Sequence, residues 1–307
     1  MKYSICKSSG LGTPNIEISE KDYSGYKESR AILVSCLAIE QSYEVLISNF
    51  LTLEKGILCA TADNMVRETK GYADFFDRNL ALNIHLVNLL TAARSYLDQL
   101  PQYMKKCLPD RGDVDTLVKS LRSKEYDKRY EYRFMDALRN YVQHCGLPVH
   151  WTSEAFAWSE IGKDGIPGHA RLEYRLELAS SKSVLEEDGV FPRKVLTESP
   201  DRIDLKVTTR GYIESLSEIH CAVRELISGP VKQSRLMFEE AHNMYRNQYK
   251  GSLIDLSACK AKDQELVETV PLLLEWDDVR IKLQKKNQKL INLTRRNVTS
   301  KVSPSPL

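Results

Sequence analysis

The stretch YEYRFMDALRNYVQHCGLPVH, residues Tyr130–His150, decides how this chain reads. Set on a helix at about 100° per residue, it puts Phe134, Leu138, Tyr141, Val142 and Cys145 on one apolar face. Asn140 and His144 are four apart and share one edge of that face. Arg139 falls on the opposite edge, about 140° from His144 by the same arithmetic. Gly146 and Pro148 stop the helix, which is predicted over roughly Tyr126–Cys145. An Arg, an Asn and a His therefore decorate the last turn and a half of a helix whose other face is built for a core.

Working outward, helical periodicity dominates. Upstream, Ile32, Leu33, Cys36, Ile39, Tyr43, Leu46, Ile47 and Phe50 recur at three- and four-residue spacing from about Tyr26. A second long helix is predicted from near Tyr72 to Leu100, with Pro101 as its break. LPDRGDVD (108–115) reads as a turn followed by helix-start residues. Downstream the period changes to two: Ala170, Leu172, Tyr174, Leu176 and Leu178 alternate with other residues. With Val149–Trp158 as partner and GKDGIPG (162–168) as turn, this predicts a β-hairpin inserted in a helical protein. Residues 181–204 read as irregular, 207–249 as helical with a kink at Gly229-Pro230, and about 265–297 as a last helix. The segments expected are a loose arm (1–20), a helical core (21–148), a hairpin and irregular insertion (149–204), C-terminal helices packing on the core (205–298) and a disordered tail (299–307).

Composition narrows the class. The 307 residues are 42% hydrophobic and 28% charged, which excludes collagen-like and wholly disordered chains. Forty-four basic against 42 acidic residues give a net charge of +2, so polyanion binding must come from a local patch. Seven scattered cysteines without a C-x-x-C pair suggest neither a disulfide framework nor a zinc ribbon. No stretch approaches 18 apolar residues and MKYSICKSSGLGTP lacks a signal-peptide run. A cytoplasmic protein with no membrane partner is expected. Phosphate loops, dinucleotide fingerprints, H-E-x-x-H and G-x-S-x-G elbows do not occur in the sequence. His144, Cys145 and His150 make a poor metal set, so neither metal nor cofactor is expected.

The 139–144 segment resembles the motif of the HEPN superfamily, whose ribonucleases carry R-x4–6-H, often with Asn directly after the Arg. Here it reads Arg139-Asn140-Tyr141-Val142-Gln143-His144. Spacing alone is weak, because Arg78–His85 and Arg235–His242 also satisfy it and chance supplies about one such match. Only the 139–144 copy follows an apolar helix and ends at a Gly-x-Pro stop. It also lies about 45 residues after ALNIHLVNLLTAARSYLDQL (81–100), similar to the earlier helix of HEPN domains. The resemblance covers residues 70–150, about a quarter of the chain, and implies a mainly α HEPN-like bundle.

It further implies a metal-independent endoribonuclease acting at a site shared across a homodimer, where Arg139 of one chain meets His144 of the other. Such cleavage needs a base for the 2′-hydroxyl, an acid for the departing 5′-oxygen and a cation for the charged phosphorus centre. Histidine supplies the proton transfer and forked arginine the phosphate clamp. A helix C-terminus favours imidazolium, suiting His144 as acid, and Asn140 would orient ring or phosphate. By the same resemblance, Ser95, Asp98 and Asn88 on the upstream helix are supporting candidates, together with the neighbouring Arg94. The role implied is a bacterial toxin or phage-defence effector, with RNA as substrate and an antitoxin or defence-system protein as partner. Toxins of this family silenced by a nucleotidyltransferase have a tyrosine two residues after the histidine; Gly146 stands there instead.

Two other readings stay open. One is a catalytically silent HEPN-type scaffold that dimerises and binds RNA. The other is a helical nucleic-acid-binding regulator using 279–301, VRIKLQKKNQKLINLTRRNVTSK, with eight basic residues and no acidic one. In that segment Lys282, Lys285, Lys286, Lys289, Arg295 and Arg296 are the candidate RNA contacts. Trp151, Phe156 and Trp158 either stack bases or fill the core.

Overall fold

The periodic apolar residues form the helices they predict. In the computed structural model, which describes residues 1–7, 15–67, 71–158, 172–249, 253–263 and 265–298, the stripe from Ile32 to Phe50 is buried along its length. In chain order the elements are β1 (Lys2–Lys7), β2 (Ile16–Glu17), α1 (Glu20–Val66), α2 (Tyr72–Cys107), α3 (Val114–Lys128) and α4 (Tyr130–His144). There follow β3 (Trp151–Trp158), β4 (Leu172–Ser181), α5 (Lys182–Glu187), α6 (Arg193–Glu198), β5 (Arg202–Asp204) and α7 (Leu205–Gln248). The chain continues through β6 (Leu256–Lys262), β7 (Glu265–Pro271), α8 (Glu275–Lys286) and a 3-10 turn at Leu293–Arg295. With 68% helix, the mainly α class holds, accompanied by two small antiparallel sheets.

Several local expectations are corrected. Helix α1 starts at Glu20 rather than near Tyr26, because Ser19 and Asp22 cap it reciprocally. The Asp22 N–H donates to Ser19 Oγ at 3.1 Å and the Ser19 N–H to Asp22 Oδ2 at 3.1 Å. Pro101 does not break α2; buried Leu97, Leu100 and Met104 hold the helix on both sides of the missing N–H. The single helix expected over 126–145 is two, α3 and α4, parted at Arg129. There the backbone is extended (φ −127°, ψ 125°) and the guanidinium reaches Glu214 at 2.6 Å. The loose arm contains a strand, β1. The irregular 181–204 segment holds α5, α6 and β5. The last helix is shorter than expected, since 265–271 is a strand and α8 covers only Glu275–Lys286. The turn at 162–168, Ala170 and the tail 299–307 lie outside the described residues.

Contacts divide the chain into two units, which do not follow the segments read from the sequence. The first comprises 1–46, 94–121 and 220–288. Its sheet has the order β2-β1-β6-β7, with Ser4 opposite Cys259 and Cys6 opposite Ser257 across β1 and β6. A disulfide joins Cys6 to Cys259, although the scattered cysteines suggested no disulfide framework. That pairing is invisible in sequence because the two cysteines are 253 residues apart. Beside the sheet, Tyr26 packs edge-on against Phe238 with ring centroids 6.3 Å apart.

The second unit comprises 47–93, 122–219 and 289–307. The predicted hairpin is present, with Trp151 opposite Ala179 and Trp158 opposite Leu172, and β5 extends it along β4. Buried Asn83 of α2 anchors its start. The Val149 N–H donates to Asn83 Oδ1 at 2.9 Å, and Asn83 Nδ2 donates back to the Val149 carbonyl at 3.4 Å. Phe134 of α4 packs on Phe191 at 5.5 Å, fixing the helix that carries the motif. Gly211 of α7 lets that helix come close: a Cβ there would lie 2.7 Å from Cγ of Glu131.

One expectation about α1 also needs correction. An 18-residue window within it has a mean hydropathy of 1.4, long and apolar enough to cross a membrane by length and composition. Half of that window is buried inside the protein, as in a core helix.

Candidate active site at the end of helix α4

Helix α4 buries Tyr132, Phe134, Met135, Ala137, Leu138 and Tyr141. Its remaining face carries Arg139, Asn140, Gln143 and His144. Arg139 is half-buried, whereas Asn140 and His144 are exposed. The helix closes at Cys145, whose N–H donates to the Tyr141 carbonyl at 2.8 Å. Val142 and Cys145, expected on the apolar face, are only half-buried at this end. Burial and the neighbouring Asp188 carboxylate push the Cys145 thiol up, away from thiolate chemistry.

The motif residues do not pair as the spacing suggests. Arg139 Nη1 donates to Asn140 Oδ1 at 2.9 Å, so Asn140 serves the arginine within one chain rather than the histidine ring. Among the described residues the His144 side chain makes no hydrogen bond or ion pair. Asn140 therefore stiffens and aims a guanidinium while the imidazole stays open to solvent. His150 is committed elsewhere: its Nδ1 accepts the Ser181 N–H at 3.0 Å, and its ring lies against Tyr141. Burial lowers its pKa, which leaves it neutral and structural.

The two competing Arg–His spacings are absorbed into the fold. Arg78 pairs with Glu154 and also donates to Asn64 Oδ1 at 3.2 Å, while His85 packs against Gly56. Arg235 is bound by Asp277 at 2.6 Å, Asp278 at 2.8 Å and Glu239 at 2.8 Å, and His242 Nε2 meets the Leu272 carbonyl. Of the three spacings only 139–144 leaves its arginine without a carboxylate and its histidine without a partner among the described residues.

Other candidates fare less well. Asn88 is exposed on α2 in the second unit, and no hydrogen bond links it to Arg139 or His144. Ser95 and Asp98 belong to the first unit, where the Asp98 carboxylate accepts Arg94 Nε at 2.6 Å. The basic segment is partly neutralised. Lys286 pairs with Glu44, and Lys289 with Glu218 at 2.9 Å. Lys282, Lys285, Arg295 and Arg296 are exposed, the last two flanking or within a 3-10 turn instead of on the expected helix. Phe156 and Trp158, expected in the core or as a stacking surface, are each 69% exposed and hence not core. Trp151 sits half-buried under Arg202.

Sequence reasoning missed a densely bonded polar cluster in the first unit. Glu40 of α1 is fully buried, and Arg224 of α7 grips both its oxygens at 2.8 and 2.6 Å. His220 is 1% exposed, with Nε2 at 3.2 Å from Glu40 Oε2 and Nδ1 at 2.9 Å from the Tyr96 hydroxyl. Tyr43 stacks on the imidazole at 3.7 Å. Burial pushes the Glu40 carboxyl up, but Arg224 and His220 more than offset this and hold it at about 2. Burial lowers the His220 pKa against the pull of Glu40. A glutamate inside the apolar stripe of α1, and His220 and Arg224 four apart on α7, were the available signals. Comparison with family models, curated proteins and solved structures gave no significant match, so the site rests on its own geometry.

Proposed function

We propose that the chain is a metal-independent endoribonuclease of HEPN type, with Arg139, Asn140 and His144 as its working residues. The observation that carries this reading is one Arg–His pair held at a helix end, its arginine free of carboxylates among the described residues and its histidine exposed. Arg139, steadied by Asn140, clamps the phosphate undergoing attack. His144 moves the proton, either from the 2′-hydroxyl or to the departing 5′-oxygen. The products are a 2′,3′-cyclic phosphate and a 5′-hydroxyl. Arg139 and His144 on opposite edges of one helix suit a site completed by a second copy, so activity requires a homodimer. A toxin or phage-defence effector in a bacterial cytoplasm is the role this chemistry suits.

The test is RNA cleavage by purified protein in excess EDTA, comparing wild type with Arg139→Ala and His144→Ala. Cleavage with cyclic-phosphate ends by wild type, reduced roughly 10²- to 10⁴-fold in His144→Ala, is the expected result. Equal cleavage by all three proteins places the chemistry elsewhere. No cleavage of several RNAs by any of them leaves the silent scaffold. The regulator reading loses ground for a separate reason, because Lys286 and Lys289 already hold carboxylates of the protein itself.

A further inference from the structure

Within the first unit, α7 and α8 border a cavity of about 400 Å³ floored by Cys36 of α1. That volume lies in the range of small-molecule sites. Four cationic side chains line it, Arg224, Lys232, Arg235 and Arg280, against a single carboxylate, Glu239. Glu40, which holds Arg224, and Asp277, which holds both Arg235 and Arg280, are fully buried, and neither they nor Asp278, which also accepts from Arg235, are part of the lining.

Each guanidinium is already oriented but not saturated. Arg224 donates to both Glu40 oxygens and to the Asn287 carbonyl. Arg235 donates to Glu239, Asp277 and Asp278. Arg280 donates twice to Asp277, at 2.5 and 2.9 Å, and once to Gln284. Among the described residues, nine donors are thus engaged out of five for each of three arginines, leaving six N–H groups. Lys232 is exposed and unpaired among the described residues. Arg280 is only 5% exposed and Arg224 and Arg235 are half-buried, so the three guanidiniums are set into the wall while Lys232 stands at its exposed edge.

The rest of the lining is largely apolar, with Ser228 and Gln284 as its uncharged polar groups. Ile227, Val231, Leu236 and Ile281 supply aliphatic walls. The Cys36 thiol is pushed up to about 12 by burial and so acts as one more neutral wall group. A lone carboxylate has two oxygens and could use few of the donors. A phosphate monoester brings three terminal oxygens and about two negative charges, a closer match to three forks and an ammonium. We infer that this cavity is a binding site for an organic phosphate monoester of mononucleotide size, its phosphate among Arg224, Lys232, Arg235 and Arg280 and its body on the aliphatic walls. The site lies in the first unit, away from the sequence of α4, and is independent of the ribonuclease reading.

Titration of the full chain with adenosine 5′-monophosphate, followed by calorimetry and by phosphorus NMR line broadening, tests this. Saturable one-to-one binding is expected, weaker for inorganic phosphate and absent for adenosine. Lys232→Glu and Ser228→Asp place negative charge at the cavity without touching the buried carboxylates, and each raises Kd roughly tenfold or more. Arg139→Ala leaves binding unchanged. The inference is overturned by no saturable binding, by adenosine binding as tightly as its monophosphate, by unaltered affinity in both cavity variants, or by loss of binding in Arg139→Ala.

Discussion

The cluster around Glu40 and the end of α4 are built from similar groups, an arginine, a histidine and a side-chain oxygen, in opposite settings. In the first, Glu40 and His220 are buried, and Arg224 and Tyr96 complete their bonding. In the second, His144 and Asn140 face solvent and only the Arg139–Asn140 bond is made. Glu40 and His220, buried with their bonds filled away from water, stabilise the fold and are closed to any substrate. A polar group left open at a helix end contributes little stability and remains available for chemistry.

The largest effect that could break this comparison comes from Glu40. Glu40→Ala strands Arg224 and His220 in the core and is expected to cost about 3–5 kcal/mol, read as a lower urea midpoint at unchanged slope. A loss under about 1 kcal/mol would show that the cluster is not what holds the first unit together.

Acid is the next lever. Glu40 is held at about 2 against an ordinary 4.5, so its contribution is complete above pH 4.5 and disappears as pH falls towards 2. His220 is depressed below its ordinary 6.5, so below that pH the unfolded chain takes a proton the fold refuses. Both shifts have the same sign. Stability should decline from about pH 6.5 downward and more steeply below 4.5, in a denaturation series across pH. A flat profile between 7 and 4.5 would contradict the buried neutral His220.

A smaller effect is expected in the second unit at Gly211. Gly211→Ala drives a methyl into the stem of Glu131 and should destabilise by about 1–3 kcal/mol through displacement of α4. If α4 carries the active site, cleavage by that variant falls along with stability. Smallest of all is the stability change in His144→Ala, within about 0.5 kcal/mol, although the same substitution removes cleavage. A large loss of stability there would erase the distinction between the two regions.

How far the sequence led differs by element. Helices α1, α2, α4 and α7 and the β3–β4 hairpin were legible because their apolar residues repeat at one clear period. Strand β6 was not: its first four residues, Leu256–Cys259, are all buried, so no alternation marks it. Strand β7 begins with three exposed residues and was read as part of a helix. Strand β1 looked like a polar arm because its main partner, β6, is some 250 residues away. At the candidate site the motif and its helix end were legible, whereas the Arg139–Asn140 bond was not, since side-chain rotamers decide it.

By itself, then, the sequence determined a mainly α chain with one hairpin and an Arg-Asn-His motif at a helix end. These depend on residues within a turn or two of one another. Tertiary structure alone decided which Arg–His spacing stays open, since Arg78 and Arg235 are claimed by carboxylates 76 and 42 residues away. It also decided the Cys6–Cys259 bridge, the Glu40 cluster and the cationic cavity. Each joins groups whose attraction depends on distance in space and on exclusion of water, and neither quantity is written in local spacing.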